Sequence, residues 1–343
     1  MSISAAESRA ETVRLPTCTF NPSALSPSAD WRELSDGGYS EVYRAKLLGT
    51  TVAVKAATSR KKTSCESMLR EIRYLRQAGP HPNIVQPYGA FYEGHTLHLV
   101  LEYARHCLRS DRVIRQCDPI IVLSGVARAL VHIHGLGIIH RDLKSRNVLV
   151  SHENRALLID FGLACDIEND SEEWLSRTVG TKKYRPPEMR DGCSAHPSMD
   201  VYCYGLMIEK LVRQRRDRVS SDDSPRSDAG RHERCDSRLL QDMAQQCTAR
   251  EASERPSAWS LLARLQRFVG DSIARCETER ERVPLHAGLP SALSRGRGGG
   301  GAAESRKRQR ESDGDPDEEA CGGSAQRRRL RDHERGTEGG EAE

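Results

Sequence analysis

One short stretch of the chain concentrates groups that could move a phosphoryl group. In His140-Arg141-Asp142-Leu143-Lys144-Ser145-Arg146-Asn147, a carboxylate, a lysine two residues on and an amide five residues on can converge from a single loop. A carboxylate can orient an attacking hydroxyl, a lysine can neutralise phosphate, and an amide oxygen can ligate a metal ion. Thirteen residues after Asn147 comes Asp160-Phe161-Gly162, preceded by the apolar run Leu157-Leu158-Ile159. A carboxylate at the end of a buried strand, beside a flexible glycine, suits a hard cation such as Mg2+. Either string alone is weak; their order and spacing carry the reading.

Groups this far apart need a fold to position them. Val42 to Leu48 and Thr51 to Ala57 are β-rich runs joined near Gly49, a hairpin signal. Met68, Leu69, Ile72 and Leu75 then repeat at helical spacing in a charged segment. Leu97 to Leu101 reads as another strand. Val122, Val126, Leu130 and Ile133 form the apolar stripe of a helix expected to stop near Gly135. A last helical stretch holds Leu239, Leu240 and Met243, then Trp259, Leu261, Leu262, Leu265 and Phe268. A small strand-rich unit therefore precedes a larger helical one, an α+β arrangement.

Composition limits the rest. A chain of 343 residues corresponds to roughly two folded units. With 30% charged residues and a mean hydropathy of −0.65, it has no run near the ~18 apolar residues of a membrane span. Met1 to Pro27 lacks the apolar core of a secretory signal, and position 2 is not glycine. The eleven cysteines are scattered without a Cys-x-x-Cys pair, so they read as free thiols in a reducing compartment rather than zinc ligands. Residues 1–28, rich in Ser, Ala and Pro, read as a disordered leader. The polar run 213–236 interrupts the helical unit.

Residues 271–343 read as a disordered tail, in which the acidic block Glu311 to Glu319 lies between the basic clusters Arg306–Arg310 and Arg327–Arg329. That tail has 14 Lys/Arg against 16 Asp/Glu; since the whole chain carries +4, residues 1–270 carry +6. Its basic clusters read as nuclear-import signals, and no aromatic residue is interleaved for stacking on nucleic acid. The expected location is intracellular, in nucleus or cytoplasm.

In this order the motifs resemble a eukaryotic-type protein kinase over Trp31 to Gly270, close to 70% of the chain. The resemblance implies a bilobal kinase domain over 29–270, with a β-rich N-lobe (29–103), a larger helical C-lobe (104–270) and disordered termini. It also implies transfer of the γ-phosphoryl of ATP, with Mg2+, to serine or threonine of protein substrates. Val52-Ala53-Val54-Lys55 resembles the strand whose lysine grips the α- and β-phosphates, with Glu71 as that lysine's ion-pair partner. Asp142 would position the substrate hydroxyl and Lys144 would steady the γ-phosphate. Asn147 and Asp160 would bind metal.

The phosphate loop would comprise Ser35, Gly37, Gly38 and Val42. The adenine would lie near Ala53 and Leu149, hydrogen-bonded to the backbone of Glu102 to Ala104, behind Leu101 as gatekeeper. Pro186-Pro187-Glu188 stands where the family has Ala-Pro-Glu, and Arg255 would pair with Glu188. Asp200 resembles the aspartate that braces the catalytic loop. The string Asp142 to Asn147, with His81-Pro82-Asn83-Ile84-Val85 upstream, is closest to the tyrosine-kinase-like group, and Lys144 favours serine/threonine specificity. The compact domain and Arg/Gly-rich tail would also suit a virus-encoded kinase. Neither nucleic acid nor membrane is an expected partner, and the oligomeric state stays open.

The departures are informative. The phosphate loop reads Ser35-x-Gly37-x-x-Ser40-x-Val42, with serine where the family has its first and third glycines, which predicts weakened nucleotide affinity. The polar run predicts an abridged helical lobe or a mobile loop. A pseudokinase or binding scaffold is the alternative, although Lys55, Asp142, Asn147 and Asp160 are all present. Arg141 could pair with a phosphorylated activation loop at Ser176 or Thr178, while Thr181 belongs to the substrate loop. The acidic stretch Asp166, Glu168, Asp170, Glu172 and Glu173 could supply that negative charge instead. Arg146 and Lys183 stand where arginine-selecting kinases carry glutamates, so acidic or phosphorylated peptides are the expected substrates if these cations face the peptide, the alternative being that both point into solvent and bind nothing.

Overall fold

The turn Leu48-Gly49 has positive φ at both residues (48° and 83°), the geometry of a tight two-residue hairpin. It joins β2 (Ser40–Leu47) to β3 (Thr50–Ala57) with Leu47 opposite Thr50. The computed structural model describes residues 21–36, 40–57, 62–151, 153–219 and 229–281. Together with β1 (Arg32–Asp36), β4 (Pro87–Glu93) and β5 (Thr96–Glu102), the hairpin forms an antiparallel sheet in the order β1-β2-β3-β5-β4. Between β3 and β4 runs α1 (Lys62–Ala78), which buries Met68, Ile72 and Leu75 at helical spacing. Side chains alternate across β3: Val52 and Val54 enter a small outer cluster, while Ala53 faces the main core below.

That outer cluster corrects the reading of residues 1–28 as a disordered leader. From Asn21 onward the chain is folded. Leu25 forms a β-bridge with Leu47, the Ser26 amide donates to Lys46 O (2.7 Å), and Leu25 packs with Ala45, Val52, Val54 and Val100. Trp31 covers the same face and donates from its indole to Ser26 O (2.9 Å). A Ser/Pro-rich segment needs only these two apolar side chains to cover a face that water would otherwise wet. Residues 1–20 lie outside the described residues.

The helical lobe starts with β6 (His106–Cys107), α2 (Asp111–Gln116) and α3 (Pro119–Gly135). Asp118 caps α3 by accepting the amides of Ile120 (2.8 Å) and Ile121 (3.2 Å), with Pro119 in the first turn. Val122, Val126, Leu130 and Ile133 are fully buried along α3. The helix includes Gly135, and the left-handed glycine that ends the turn is Gly137.

Short strands β7 (Ile138–Ile139), β8 (Val148–Val150), β9 (Ala156–Leu158) and β10 (Cys165–Asp166) frame the loops of interest. After them come α4 (Glu172–Leu175), α5 (Pro187–Arg190), α6 (Pro197–Val219), α7 (Ala229–Cys247) and α8 (Ala258–Glu281). The fold is a β-rich lobe followed by a larger helical lobe, as expected for the α+β class.

Two boundaries differ from the sequence reading. The polar run 213–236 is neither a deletion nor wholly a loop, because α6 continues to Val219 and α7 begins at Ala229. Residues 220–228 lie outside the described residues. Arginine and glutamine are good helix formers, so a helix anchored by an apolar stripe extends into a charged run. For the same reason α8 passes Gly270 to Glu281, into the region read as tail. Residues 282–343 are not described. Cys65, Cys107, Cys117, Cys165, Cys193, Cys203 and Cys247 are free thiols. Among the described residues no helix is long and apolar enough to cross a membrane.

Candidate active site

Register places one group of candidate residues. Val42 lies opposite Lys55 across β2 and β3, and Ala53 lies opposite Leu101 across β3 and β5. Directly opposed residues share a face, so Val42, Ala53, Lys55 and Leu101 project to the side that holds α1. Lys55 Nζ there donates to Glu71 Oε2 (2.6 Å) and to Asp160 Oδ1 (3.0 Å), and Glu71 is buried. Burial works against the charge on Lys55, but Asp160 and Glu71 outweigh it and hold its pKa above the ordinary lysine value. Lys55 in turn holds the Asp160 carboxyl below the usual carboxylate range. Strand, helix and loop are thus tied by one cation.

Asp160 has φ 68°, and Phe161 next to it is fully buried, with its ring edge against His140 (4.9 Å). The phenylalanine anchors the segment below α1 while the aspartate stays partly open to the cleft.

The second group comes from the loop after β7. Asp142 Oδ1 accepts the Thr181 amide (2.9 Å) and hydroxyl (2.7 Å). Its Oδ2 accepts Lys144 Nζ and Asn147 Nδ2 (3.2 Å), and Lys144 also donates to Thr181 Oγ1 (2.8 Å). The Asn147 amide group is oriented by a further donation to Asp142 O (2.9 Å), which leaves its oxygen as the acceptor end of a buried side chain. Gly180 makes the approach of Thr181 feasible: at its φ of 79°, a Cβ would stand 2.4 Å from Arg141 O.

Asp200 at the start of α6 braces this loop. It is fully buried and accepts the amides of His140 (2.8 Å) and Arg141 (2.9 Å), and His134 Nε2 (2.9 Å). Burial opposes its ionisation, but the hydrogen bonds and nearby histidines outweigh it and hold its pKa below the usual range. Arg141 sits at φ 60°, a strained conformation for a side chain with a Cβ, and Asp200 supplies the compensating acceptor. His140 receives the Asp142 amide at Nδ1 (3.2 Å) and donates from Nε2 to Ile159 O (3.0 Å), which fixes the neutral tautomer. Arg255 and Glu188 form a two-pronged pair (2.6 and 2.8 Å) below the site.

Not every candidate is brought together this way. Ser35 lies opposite Val42 at the end of β1, but Gly37 and Gly38 fall outside the described residues. The Glu102 amide is taken by Gln86 O (2.8 Å), so it is not one of the hinge donors. Ala104 lies in the connection after β5, and Leu149 is the middle residue of β8, opposite Leu157. Arg141 is buried rather than open to a loop phosphate. It donates to Leu163 O (2.9 Å) and Trp174 O (2.7 Å) and stacks on the Trp174 ring. The sequence reading gave no role to Trp174, Tyr74 or His134. Their contacts span tens of residues, and no local spacing announces them.

Residues 29–266 match the family model of the protein kinase domain. The chain belongs to the protein kinase family.

Similar proteins carry the same domain inside longer chains. A probable LRR receptor-like serine/threonine-protein kinase of Arabidopsis thaliana is 32% identical over 199 residues, 54% of this chain and 21% of its own length. A G-type lectin S-receptor-like serine/threonine-protein kinase of the same plant is 30% identical, over 52% of this chain and 23% of its own length. A probable LIM domain-containing serine/threonine-protein kinase of Dictyostelium discoideum is 29% identical, over 53% of this chain and 29% of its own length. The kinase domain here therefore spans under a third of each of these relatives.

The donor set of the kinase cleft fits a hard cation. Among the described residues no three His, Cys, Asp or Glu are gathered, so a caged transition-metal site is not built. One amide oxygen from Asn147 and one carboxylate from Asp160 are instead what Mg2+ takes when phosphates complete its shell.

Proposed function

We propose that this kinase is a serine/threonine protein kinase that transfers the γ-phosphoryl of ATP to protein hydroxyls. The observation that carries the reading is the shared hydrogen-bonded knot of Asp142, Lys144, Asn147 and Thr181 beside the Lys55–Glu71–Asp160 ion pairs. Asp142 accepts a threonine hydroxyl at 2.7 Å, so its carboxylate can receive a substrate hydroxyl and orient it for attack. Lys144 lies beside that acceptor and neutralises the phosphate in flight. Lys55, fixed by Glu71, aligns the α- and β-phosphates. Asn147 and Asp160 would hold Mg2+, which would supply positive charge against the phosphates.

The Asp142–Asn147 string supports a place near the tyrosine-kinase-like group. On the substrate side Arg146 and Lys183 are both exposed, which supports a preference for acidic or phosphorylated peptides.

Incubation of the purified chain with labelled ATP, Mg2+ and protein substrates tests the reading. Phosphoserine or phosphothreonine should form with the wild type and be lost in Asp142→Asn, which still binds nucleotide. Nucleotide binding without transfer by the wild type would show a binding scaffold instead.

A further inference from the structure

The segment between Asp160 and Gly180 is fastened to α1 along one stripe. Ser67, Arg70, Arg73, Tyr74 and Gln77 recur at the three- and four-residue spacing of a helix face. Ser67 donates to Gly162 O (3.3 Å). The Asp170 carboxylate, almost fully buried, accepts Arg73 Nη1 (3.0 Å), the Tyr74 hydroxyl and the Asp166 amide (3.1 Å). Asp166 accepts Gln77 Nε2 (2.6 Å), Asn169 Nδ2 (2.9 Å) and the amides of Glu168 and Asn169. Two carboxylates therefore connect the segment to the helix that carries Glu71.

Trp174 closes the same junction. Its ring lies under three guanidinium groups, Arg70 at 3.7 Å, Arg141 at 4.6 Å and Arg177 at 5.2 Å from the centroid. Its indole donates to Ala164 O (3.2 Å), and its carbonyl accepts Arg141 Nη1 (2.7 Å). Three arginines, from α1, from the loop after β7 and from the segment itself, are thus gathered on one aromatic ring. The three hydroxyls of the segment are engaged elsewhere, Ser171 Oγ by accepting the Trp174 amide (3.3 Å) at the start of α4. Ser176 donates to Glu172 O (2.8 Å) in a turn that carries Glu172 and Glu173, and Thr178 donates to Met189 O (3.0 Å). A phosphate on Ser176 would meet like charge.

We propose that Asp170 and Trp174 are positioning residues that hold α1, and with it Glu71, on Lys55 without phosphorylation of the segment. Asp170 fixes the rotation of α1 through Arg73 and Tyr74, and Trp174 takes the place of a phosphate among the arginines. The inference rests on the kinase reading above, because it specifies how that site is switched on.

The test combines kinetics with amide hydrogen exchange of the full chain. Phosphatase-treated wild type and the double variant Ser176→Ala, Thr178→Ala should keep kcat within about twofold. Asp170→Asn and Trp174→Ala should each lower kcat about tenfold, with Trp174→Phe recovering part of the loss. Both should speed exchange in α1 around Met68 to Leu75, while Tyr74→Phe, which removes one hydroxyl only, gives a smaller change in the same place. The exchange arm is repeated in the Asp142→Asn background, where no transfer occurs, so it reads the fastening even if the kinase reading fails. Loss of activity on dephosphorylation, or unchanged exchange in both Asp170→Asn and Trp174→Ala, would overturn the proposal.

Discussion

Lys55 meets two carboxylates at once: its charge holds the Asp160 carboxyl below the usual range, while burial pushes the Glu71 carboxyl up against the pull of the same charge. Lys55→Met should therefore fold but lose roughly 100-fold or more in kcat, the size of effect seen when one preorganised charge contact is removed. Phosphate release or peptide phosphorylation near the wild-type rate would contradict this. Asp200 is a different kind of residue, since it acts on backbone rather than on substrate. Asp200→Ala leaves the buried amides of His140 and Arg141 without an acceptor. About 2–3 kcal/mol of stability should go with it, together with most activity, because the left-handed Arg141 turn loses its brace. Urea unfolding read alongside kinetics checks both effects in one sample.

At the scale of elements, α6 and α7 touch where one residue has no side chain. A Cβ on Gly205 would stand 2.6 Å from Cys247 Cβ and 2.9 Å from Thr248 Cγ2. Gly205→Ala should destabilise by about 1–3 kcal/mol through overpacking, visible as a lower Tm with little change in KM. In the β-sheet, His98 stacks on Phe91 (4.9 Å) and meets Trp31 edge-on (5.8 Å). Burial lowers its pKa, partly offset by Glu93 and the Thr96 carbonyl. The folded state thus binds a proton on His98 less readily than the unfolded chain. This contribution to stability is complete above the ordinary histidine pKa and is lost as pH falls below it. Urea midpoints at about pH 7.5 and about pH 5.5 should differ less in His98→Phe than in the wild type; an equal difference would exclude His98 as a source.

Charge is the property of the whole molecule that bears on substrate choice. The part of the chain before the tail carries a net +6. In the structure, burial lowers the pKa of Lys210, and Arg109, Arg146 and Arg213 lower it further, so four cations from three parts of the helical lobe share one field. Exposed Lys182 and Lys183 add two cations on the stretch just before α5. Acidic peptides should react faster than arginine-rich ones, and the advantage should shrink as salt rises because exposed charges are screened over about 10 Å at 0.1 M. A peptide array read at two salt concentrations checks this. Enrichment for arginine just before the acceptor residue would sink the preference.

The sequence by itself determined the class of fold and which residues could do chemistry. Hairpin, amphipathic helix and loop motifs are local patterns, so Lys55, Glu71, Asp142, Asn147 and Asp160 were legible in their order along the chain. What joins them was not legible. The Lys55–Asp160 contact spans 105 residues and the Tyr74–Asp170 contact spans 96, and only packing brings such pairs together. Leu25 looked like a leader residue because composition averages over a window, whereas burial is decided by whether a particular sheet face is open. Charged runs at the ends of α6 and α8 looked like loop and tail because helix extension depends on an anchor several turns away. The state of Arg141 was also a tertiary matter: the sequence placed it beside Asp142, and the packing of Trp174 decided that its guanidinium is buried against an aromatic ring rather than left open to a phosphate.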